Sequence, residues 1–195
     1  PQSTALVTGA STGIGAVYAE RLARRGHDLI LVARDAARLS ALAERLRGET
    51  GRTVTVLPAD LTDAAQVARV SEAIASAPHL GLLVNNAGMA LHGTLTTSAV
   101  EEIQRLIALN VTAPTLLARA AALRFAQQGS GAIINIASVL ALAPELFDGT
   151  YSGTKAFILN LSQSLALQLA DSGVQVQAVL PGATRTEIWE RSGQD

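Results

Sequence analysis

The chain has 195 residues, of which 49% are hydrophobic and 3% aromatic, and its 15 basic and 16 acidic residues give a net charge of −1. This balance gives no support for binding to nucleic acid or to an anionic membrane surface. The absence of cysteine excludes disulfides and thiolate chemistry, which fits a cytoplasmic protein, and we see neither a signal peptide nor an apolar run of about 18 residues that could span a membrane.

Short apolar segments alternate with helical ones along the chain, and the length fits one domain over residues 1–195. Buried strands are predicted at 5–8, 28–33, 53–57, 80–85, 132–137 and 174–180. Helices are predicted at about 14–25, 35–49, 63–77, 98–108, 111–127 and 151–170, with Asp35 and either Thr62 or Asp63 as N-caps. Continuous apolar strands that alternate with helices indicate a parallel sheet covered on both faces. We therefore predict an α/β fold, a doubly wound, Rossmann-like three-layer sandwich with a parallel β-sheet.

A glycine-rich turn follows the first predicted strand, with the spacing Gly-x-x-x-Gly-x-Gly. Glycine permits a tight turn and close approach to a ligand, and the N-terminus of the next helix offers free N–H groups and a positive dipole end. The turn therefore predicts a pyrophosphate cradle, although its spacing differs from the usual Gly-x-Gly-x-x-Gly fingerprint. The predicted cradle residues are Gly9, Ser11, Thr12, Gly13, Ile14 and Gly15. A kinase-type phosphate loop is excluded, because neither Gly-Lys-Ser nor Gly-Lys-Thr occurs.

Tyr151 and Lys155, the only lysine of the chain, lie four residues apart at the start of the last predicted helix. At this spacing the two side chains share one helix face, about 5–6 Å apart at Cβ. An ammonium beside a phenol favours the phenolate, so we expect Lys155 and a cationic cofactor together to lower the pKa of Tyr151 from about 10 toward neutrality. Tyr151 would then be a general acid and base matched to its working pH. Such a pair also occurs by chance on helix surfaces, so its meaning depends on the other motifs.

Motifs of one family run nearly from end to end of the chain. They are Thr8-Gly9 to Gly15, Asp60-Leu61, Asn85-Asn86-Ala87-Gly88, Asn110, Ser138, Tyr151 with Lys155, and Pro181-Gly182 with Thr186. In this order and spacing, the chain resembles the short-chain dehydrogenase/reductase family. Ser138 lies thirteen residues before Tyr151, which is the family's usual interval.

The end of the second predicted strand distinguishes NAD from NADP in a site of this type. An acid there accepts hydrogen bonds from the ribose 2′-hydroxyl, whereas an arginine suits a 2′-phosphate. Here the strand ends at Ala33, Arg34 follows, and Arg38 comes one turn later. Asp35 is better placed to cap the next helix than to bind the ribose. We therefore predict NADP, with NAD as the less favoured cofactor.

The resemblance implies roles for further residues around the cofactor. Asp60, with Leu61 beside it, would hydrogen-bond near the adenine, and Asn86-Ala87-Gly88 would lie along the adenosine ribose. Lys155 would hold the nicotinamide ribose, and Asn110 would fix a water that connects Lys155 to solvent, although an asparagine between two helices is usually structural. The nicotinamide carboxamide would be contacted by Pro181, Gly182, Thr184 and Thr186.

The resemblance also implies hydride transfer between the nicotinamide and a carbonyl or alcohol. Ser138 would donate a hydrogen bond to the substrate oxygen, and Tyr151 would give or take the proton. A serine after a strand could instead cap a turn, and no Gly-x-Ser-x-Gly surrounds it to indicate a hydrolase. The three histidines show no ligand spacing, so we predict surface positions for them and no metal.

The family continues past Thr186 with a substrate-covering segment, a helix and a seventh strand, whereas this sequence stops at Asp195. We therefore expect the last strand to be missing, the C-terminal substrate segment to be incomplete, and the sixth strand to form an exposed edge. The side chains expected near the pocket are apolar, which favours a hydrophobic carbonyl or alcohol. They are Met89, Leu91, Val139, Leu140, Leu142, Leu146 and Trp189.

These observations favour an NADP-dependent carbonyl reductase or alcohol dehydrogenase. A regulatory or scaffold protein that binds the nucleotide without turnover stays open, although such a protein has no need of Ser138, Tyr151 and Lys155 together. Helices 111–127 and 152–170 are apolar enough to cover both the sheet and a partner, and the resemblance implies a homodimer or homotetramer.

Overall fold

The computed structural model describes residues 3–182, which contain one six-stranded parallel sheet in the order β3-β2-β1-β4-β5-β6. The strands are β1 (Thr4–Thr8), β2 (Asp28–Ala33), β3 (Val54–Pro58), β4 (Leu80–Asn85), β5 (Gly131–Ile136) and β6 (Val174–Val179). The longer helices are α1 (Gly13–Arg24), α2 (Ala36–Thr50), α3 (Ala64–Ser76), α4 (Val100–Ile107), α5 (Ala113–Gln128) and α6 (Gly149–Gln168). The strand order reverses between β1 and β4, which opens a crevice at the carboxyl ends of the strands.

Helices cover both faces of the sheet, and this confirms the predicted three-layer fold. Along β1, Ala5 and Val7 pack into the layer formed with α1 and α2, whereas Leu6 packs into the layer formed with α3 and α5. Because successive side chains of a strand point to opposite faces, a strand covered on both sides must be apolar throughout. In the described part of the chain, β6 pairs with β5 alone and is the edge strand expected from the sequence.

Short polar signals set the helix boundaries. The carboxylate of Asp35 accepts the backbone N–H of the third residue of α2 at 2.9 Å. Asp63, rather than Thr62, caps α3, because its carboxylate accepts two N–H groups of the first turn at 2.8 and 3.1 Å. Helix α2 ends at Gly51, whose φ of 66° lies in the left-handed region that favours glycine.

The two helices predicted at 98–108 and 111–127 form one continuous helical run, so the predicted break is wrong. Helix α4 passes through a π turn (Ala108–Thr112) directly into α5. Within the π turn, the backbone N–H of Ala113 bonds to the carbonyl oxygen of Ala108, five residues back. The turn absorbs one extra residue, and Pro114 lies in the first turn of α5, where a missing N–H is tolerated. Asn110 and Pro114 therefore reshape the helix without ending it.

By length and composition alone, the run Val100–Gln128 could span a membrane, although no uninterrupted apolar run of that length was expected from the sequence. Its packing indicates another role. Ala113, Leu117, Ala121 and Phe125 are buried in the core layer that α5 shares with α3 and the sheet. A core helix of a globular domain can have the same length and apolar composition. The burial of α5 therefore indicates a core helix.

Candidate active site

A groove of ≈ 1090 Å³ opens at the carboxyl ends of the strands. It brings together predicted site residues from almost the whole length of the described chain, at the position where sheets of this type bind ligands. Those that line it are Gly9, Ser11, Thr12, Gly13, Ile14, Arg34, Asp60, Leu61, Asn86, Ala87, Gly88, Ser138, Tyr151, Lys155, Pro181 and Gly182. Of the predicted catalytic and cofactor-binding residues that the structure describes, Gly15, Arg38 and Asn110 do not line the groove. Of the apolar side chains expected near the pocket, Met89 lines it, whereas Leu91, Val139, Leu140, Leu142 and Leu146 do not. Thr184, Thr186 and Trp189 lie outside the described residues.

The glycine turn after β1 depends on the absence of side chains. Gly9 has a φ of 62° and Gly13 a φ of 55°, both in the left-handed region. A Cβ on Gly9 would lie 2.8 Å from Nδ2 of Asn86, and a Cβ on Gly15 would lie 2.3 Å from the carbonyl oxygen of Gly9. Gly15 therefore lets α1 pack against the turn, while the other glycines shape the groove wall.

Thr8 ties this turn to the segment that follows β4. Its hydroxyl oxygen accepts the backbone N–H groups of Asn86 at 2.9 Å and Ala87 at 3.0 Å. In return, Nδ2 of Asn86 donates to the carbonyl oxygens of Thr8 at 2.9 Å and Gly9 at 3.2 Å. The sequence places Thr8 in a motif without indicating a role for it. The available signal was a polar residue at the end of an otherwise apolar strand.

Beside β2 and β3 the groove carries mixed charge. Arg34 is exposed on its wall, whereas Nε of Arg38 lies 3.4 Å from Oδ2 of Asp35 in an ion pair. The Asp60 carboxylate accepts hydrogen bonds from the backbone N–H and the hydroxyl of Thr62 at 2.9 and 2.8 Å. Partial burial opposes ionisation of Asp60, but these hydrogen bonds and the charges of Arg34 and Arg105 outweigh it, so the pKa of Asp60 is lowered.

Tyr151 and Lys155 both face the groove from the first turns of α6. Their residues are 6% and 5% exposed, and Nζ of Lys155 lies 5.7 Å from the centroid of the Tyr151 ring. Nζ donates to the carbonyl oxygen of Ile136 at the end of β5, at 3.0 Å. A Cβ on Gly88 would lie 3.5 Å from Nζ, so the segment after β4 closes over the amine.

Burial disfavours the charged form of both groups. It raises the pKa of Tyr151 to about 12, although a hydrogen bond with the hydroxyl of Ser138 favours the phenolate, and it lowers the pKa of Lys155 to about 8. In the chain without a ligand, desolvation is the larger effect and the pKa of Tyr151 is raised. The expectation that Lys155 and a cationic cofactor together lower this pKa stays a prediction. A lower pKa has to come from charge that a ligand brings into the groove.

Ser138 follows β5, caps a turn and influences Tyr151. Its Oγ accepts the backbone N–H of Leu140 at 3.2 Å and so caps the short 3₁₀ helix Val139–Ala141, as the turn-cap alternative anticipated. Its hydroxyl also favours the phenolate of Tyr151. Because an oxygen can accept while its proton is donated, the cap leaves the proton of Ser138 unused.

Two residues just before Tyr151 hold it, and sequence analysis missed both. The Asp148 carboxylate caps α6 by accepting the backbone N–H of Tyr151 at 2.8 Å. The ring of Phe147 meets the ring of Tyr151 edge to face, with centroids 5.5 Å apart and an interplanar angle of 77°. An aspartate three residues before the start of an apolar helical pattern was the available signal for the cap.

Asn110 lies behind the groove wall in the π turn, where it is buried. Its Oδ1 accepts the backbone N–H of Met89 at 2.9 Å, and its Nδ2 donates to the carbonyl oxygen of Met89 at 2.8 Å and to Oγ1 of Thr154 at 3.2 Å. These contacts match the structural role of a buried asparagine. The water link to Lys155 stays a prediction.

The surroundings of Tyr151 are mostly apolar. Tyr151 is buried in a cluster with Ala90, Leu91 and Leu106, against which Met89, Ile103, Leu140 and Phe147 are packed. One polar pair lines the same groove: the backbone N–H of His92 donates to Oε1 of Glu102 at 3.0 Å, and the His92 ring contacts the same carboxylate oxygen. Sequence analysis assigned His92 only a surface position.

The histidines lie in different environments. His79 and His92 are exposed, as predicted, whereas His27 is half-buried and its Nδ1 lies 2.8 Å from Oγ of Ser3. Between residues 3 and 182, no group of three or more histidine, aspartate or glutamate residues is placed to hold a metal ion.

Comparison with known proteins agrees with the motifs and the geometry. A family model described as short chain dehydrogenase matches residues 3–195. A short-chain dehydrogenase from Sphingobium yanoikuyae, solved in complex with NADPH, is 58% identical, with a TM-score of 0.97 over 99% of this chain and 75% of that one. The bulky-bulky ketone specific alcohol dehydrogenase from Comamonas testosteroni is 54% identical, with a TM-score of 0.92 over 94% of this chain and 73% of that one.

Sequence relatives give the same result. An uncharacterised oxidoreductase of Staphylococcus epidermidis is 33% identical over 97% of this chain and 81% of its own length. The order of the motifs, the parallel sheet and the groove that joins the glycine turn to Tyr151 all match what the resemblance predicted. The chain belongs to the short-chain dehydrogenase/reductase family of oxidoreductases.

Proposed function

We propose that the protein transfers a hydride between NADP(H) and an apolar carbonyl or alcohol, with Tyr151 as the general acid and base. The observation that carries this proposal is the convergence of Ser138, Tyr151 and Lys155 on the groove that begins at the glycine turn. The same proposal includes two points that rest on the sequence alone. Residues 1–195 belong to a single dinucleotide-binding and catalytic domain, and the protein is cytoplasmic.

The residues of the groove fit a dinucleotide. Within the described residues, Thr12 makes no side-chain cap for α1, so the first N–H groups of this helix are open to a pyrophosphate. The wall at Gly88 has no side chain beside Lys155, and the exposed Arg34 suits a 2′-phosphate. The NADPH complex of the relative from Sphingobium yanoikuyae supports NADP for this chain.

A bound nicotinamide supplies or accepts the hydride and, when oxidised, places a positive charge in the groove. The rest of the chemistry belongs to the side chains. The phenol of Tyr151 gives a proton to the substrate oxygen in reduction and takes one in oxidation, while Ser138 donates a hydrogen bond to the same oxygen. Bringing the pKa of Tyr151 from about 12 to near neutrality requires about 7 kcal/mol. Lys155 and the charge of the oxidised cofactor act in the same direction.

The substrate side of the groove favours bulky apolar ketones and the matching secondary alcohols. Met89 lines the groove, Leu140 packs on the Tyr151 cluster, and Leu142 and Leu146 are exposed in the segment between β5 and α6. These side chains offer no charged partner to a substrate. The 54% identical relative from Comamonas testosteroni is an alcohol dehydrogenase specific for bulky-bulky ketones, which supports the same substrate class.

A ketone and alcohol panel with each cofactor tests the proposal, read by the nicotinamide absorbance. We expect bulky aryl and alkyl ketones to be reduced with NADPH. Tyr151→Phe should lower kcat by about 10²–10⁴-fold, as loss of a general acid does, while NADPH binding changes little. Tyr18→Phe, which removes the chain's other tyrosine, serves as the matched control. Tight NADPH binding without turnover across the panel would instead support the regulatory alternative.

We also propose that the protein is a homo-oligomer. Large apolar side chains are exposed on α5 and α6, namely Leu116, Leu123 and Phe157 at 45%, 51% and 41%. Both helices also bury their opposite faces against the sheet, so each has apolar surface left for a second copy of the chain.

A further inference from the structure

Thr154 lies between Tyr151 and Lys155 on α6, and its polar contacts are all inside the protein. The residue is 5% exposed, and its Oγ1 donates to the carbonyl oxygen of Tyr151 at 2.7 Å. A hydroxyl has only one proton to donate. In its contact with Nδ2 of Asn110, at 3.2 Å, the threonine oxygen is therefore the acceptor.

This contact completes the hydrogen bonds of the Asn110 amide. One N–H of Nδ2 is used by the carbonyl oxygen of Met89 and the other by Thr154, while Oδ1 accepts the N–H of Met89. Loss of the Thr154 hydroxyl would leave a buried amide N–H without a partner, and a buried donor in that state drives local rearrangement.

The chain of contacts reaches the amine of Lys155. Met89 follows Gly88, and a Cβ on Gly88 would lie 3.3 Å from Oδ1 of Asn110 and 3.5 Å from Nζ of Lys155. Asn110 therefore holds the Gly88–Met89 segment against the amine, and Thr154 anchors Asn110 to the helix that carries both Tyr151 and Lys155.

We propose that Thr154 is a positioning residue, whose hydroxyl fixes the Asn110 amide and thereby keeps the Gly88–Met89 segment at a set distance from Lys155 and Tyr151. The role rests on the proposed function, since it matters for the proton transfer assigned to Tyr151. This role is more specific than stabilising the fold, because the hydrogen bonds that run from Thr154 through Asn110 lead to Met89 on the groove wall.

The same helix provides a matched control. Ser162 is 2% exposed, its Oγ donates to the carbonyl oxygen of Ile158 at 2.7 Å, and it accepts from Nδ2 of Asn135 at 2.9 Å. Ser162 thus repeats the hydroxyl–asparagine contact of Thr154, about two turns further along α6 and away from Lys155. Ser162→Ala should cost stability without changing the titration of Tyr151.

The test uses the full chain with Tyr18→Phe as background, so that Tyr151 is the only tyrosine. The ultraviolet absorbance of the phenolate is titrated without ligand and with NADP⁺, and the pH profile of alcohol oxidation is recorded beside it. Oxidation needs the phenolate, so a looser site shifts both curves to higher pH. We expect Thr154→Val to shift the NADP⁺-bound midpoint upward by about one pH unit and to lower kcat about tenfold.

Two further variants separate positioning from folding. Thr154→Ser, which keeps the hydroxyl, should stay within about twofold of the background in kcat. Thr154→Ala also removes the hydroxyl but, unlike Thr154→Val, puts no methyl group in its place. It therefore tests the same hydroxyl if Thr154→Val fails to fold. The other titratable groups on the groove wall stay unchanged throughout: Lys155, His92, Glu101, Glu102, Arg105, Asp60, Arg34 and Asp35.

Each result has one meaning. If Thr154→Val and Ser162→Ala lose similar stability and both keep the midpoint of the background, Thr154 is only structural and the inference is overturned. If the background protein shows neither turnover nor an NADP⁺-dependent phenolate signal, the proposed function itself fails. An upward shift for Thr154→Val and Thr154→Ala alone, with rescue by Thr154→Ser, establishes the positioning role.

Discussion

Tyr151 and Lys155 occupy a site where burial pushes a phenol and an amine toward their neutral forms, with pKa values of about 12 and about 8. The motif predicts which residues meet, because four residues along a helix share a face whatever surrounds them. It cannot predict the pKa of either group, because desolvation depends on what covers the helix, including Ile136, Phe147 and Gly88. The contact between two side chains and their pKa values are thus separate predictions, and only the contact follows from the spacing.

Arg34 should select the cofactor. Its guanidinium is exposed on the groove wall just after β2, and a phosphate bound there would gain charge-assisted hydrogen bonds. We expect Arg34→Ala to weaken NADPH binding about 10- to 100-fold and NADH binding by less than about twofold, in fluorescence titrations.

Arg38 is the matched control, because its guanidinium is paired with Asp35 and does not line the groove. Arg38→Ala should change the NADPH affinity by less than about threefold. If NADPH and NADH bind the unmodified protein equally well, Arg34 is not the selector.

The buried amine of Lys155 should also make the unliganded protein less stable at neutral than at alkaline pH. Its pKa is about 8 when folded and 10.5 when unfolded, so the unfolded chain binds more protons between these values and stability rises with pH across that window. The gain is about 3 kcal/mol. Above pH 10 the raised pKa of Tyr151 acts in the opposite direction, because the folded phenol keeps a proton that the unfolded chain loses.

Thermal unfolding of the protein and of Lys155→Met, followed from pH 7 to pH 10, measures this effect. We expect the midpoint to rise with pH for the native sequence and to stay nearly level over the same interval for Lys155→Met. Parallel curves for the two proteins would show that the amine is charged and solvated in the folded state.

At the scale of elements, caps could be predicted and the path between α4 and α5 could not. Asp35 was predicted as a cap, and Asp63 as one of two candidates, because the cap contact is local, within three residues of the carboxylate. Asn110 falls in the predicted break between two helices, yet packing of α5 on α3 and the sheet keeps the run helical through the π turn. Tertiary packing outweighed the local signal there.

Arg124 of α5 should stabilise the neighbouring helix α3. Its Nη1 donates to the carbonyl oxygens of Ile74 at 2.9 Å and Ala75 at 2.8 Å, and its Nη2 to that of Ala77 at 2.6 Å, at the C-terminal end of α3. These acceptors have no helical partners, and a cation there also meets the negative end of the helix dipole. We expect Arg124→Ala to lower the free energy of unfolding by about 2–3 kcal/mol.

Denaturant unfolding measures the effect, with Arg119→Ala as the control. Arg119 lies on the same helix but is exposed, so its removal should change the free energy of unfolding by less than about 0.5 kcal/mol. Equal effects of the two variants would mean that the contacts of Arg124 at α3 do not stabilise the fold.

Over the whole molecule, the alternation of apolar strands and helices was enough to predict the sheet and the location of the groove, because the carboxyl ends of parallel strands meet at one edge. Contacts between segments distant in sequence could not be predicted. The hydroxyl of Thr8 binds the backbone of Asn86, 78 residues away, and Asn110 binds Thr154, 44 residues away. Both contacts depend on the tertiary approach of segments that lie far apart in the sequence.

The exposed apolar faces of α5 and α6 should hold copies of the chain together. Leu123 on α5 and Phe157 on α6 are 51% and 41% exposed, and a buried charge at such a contact is costly. We expect light scattering after size-exclusion chromatography to show a dimer or tetramer, and Leu123→Glu or Phe157→Glu to shift it toward monomer. Val17→Glu, which places the same charge at a 48% exposed position on α1, should leave the assembly intact. A monomeric native protein, or equal dissociation by the Val17 variant, would contradict an interface on these two helices.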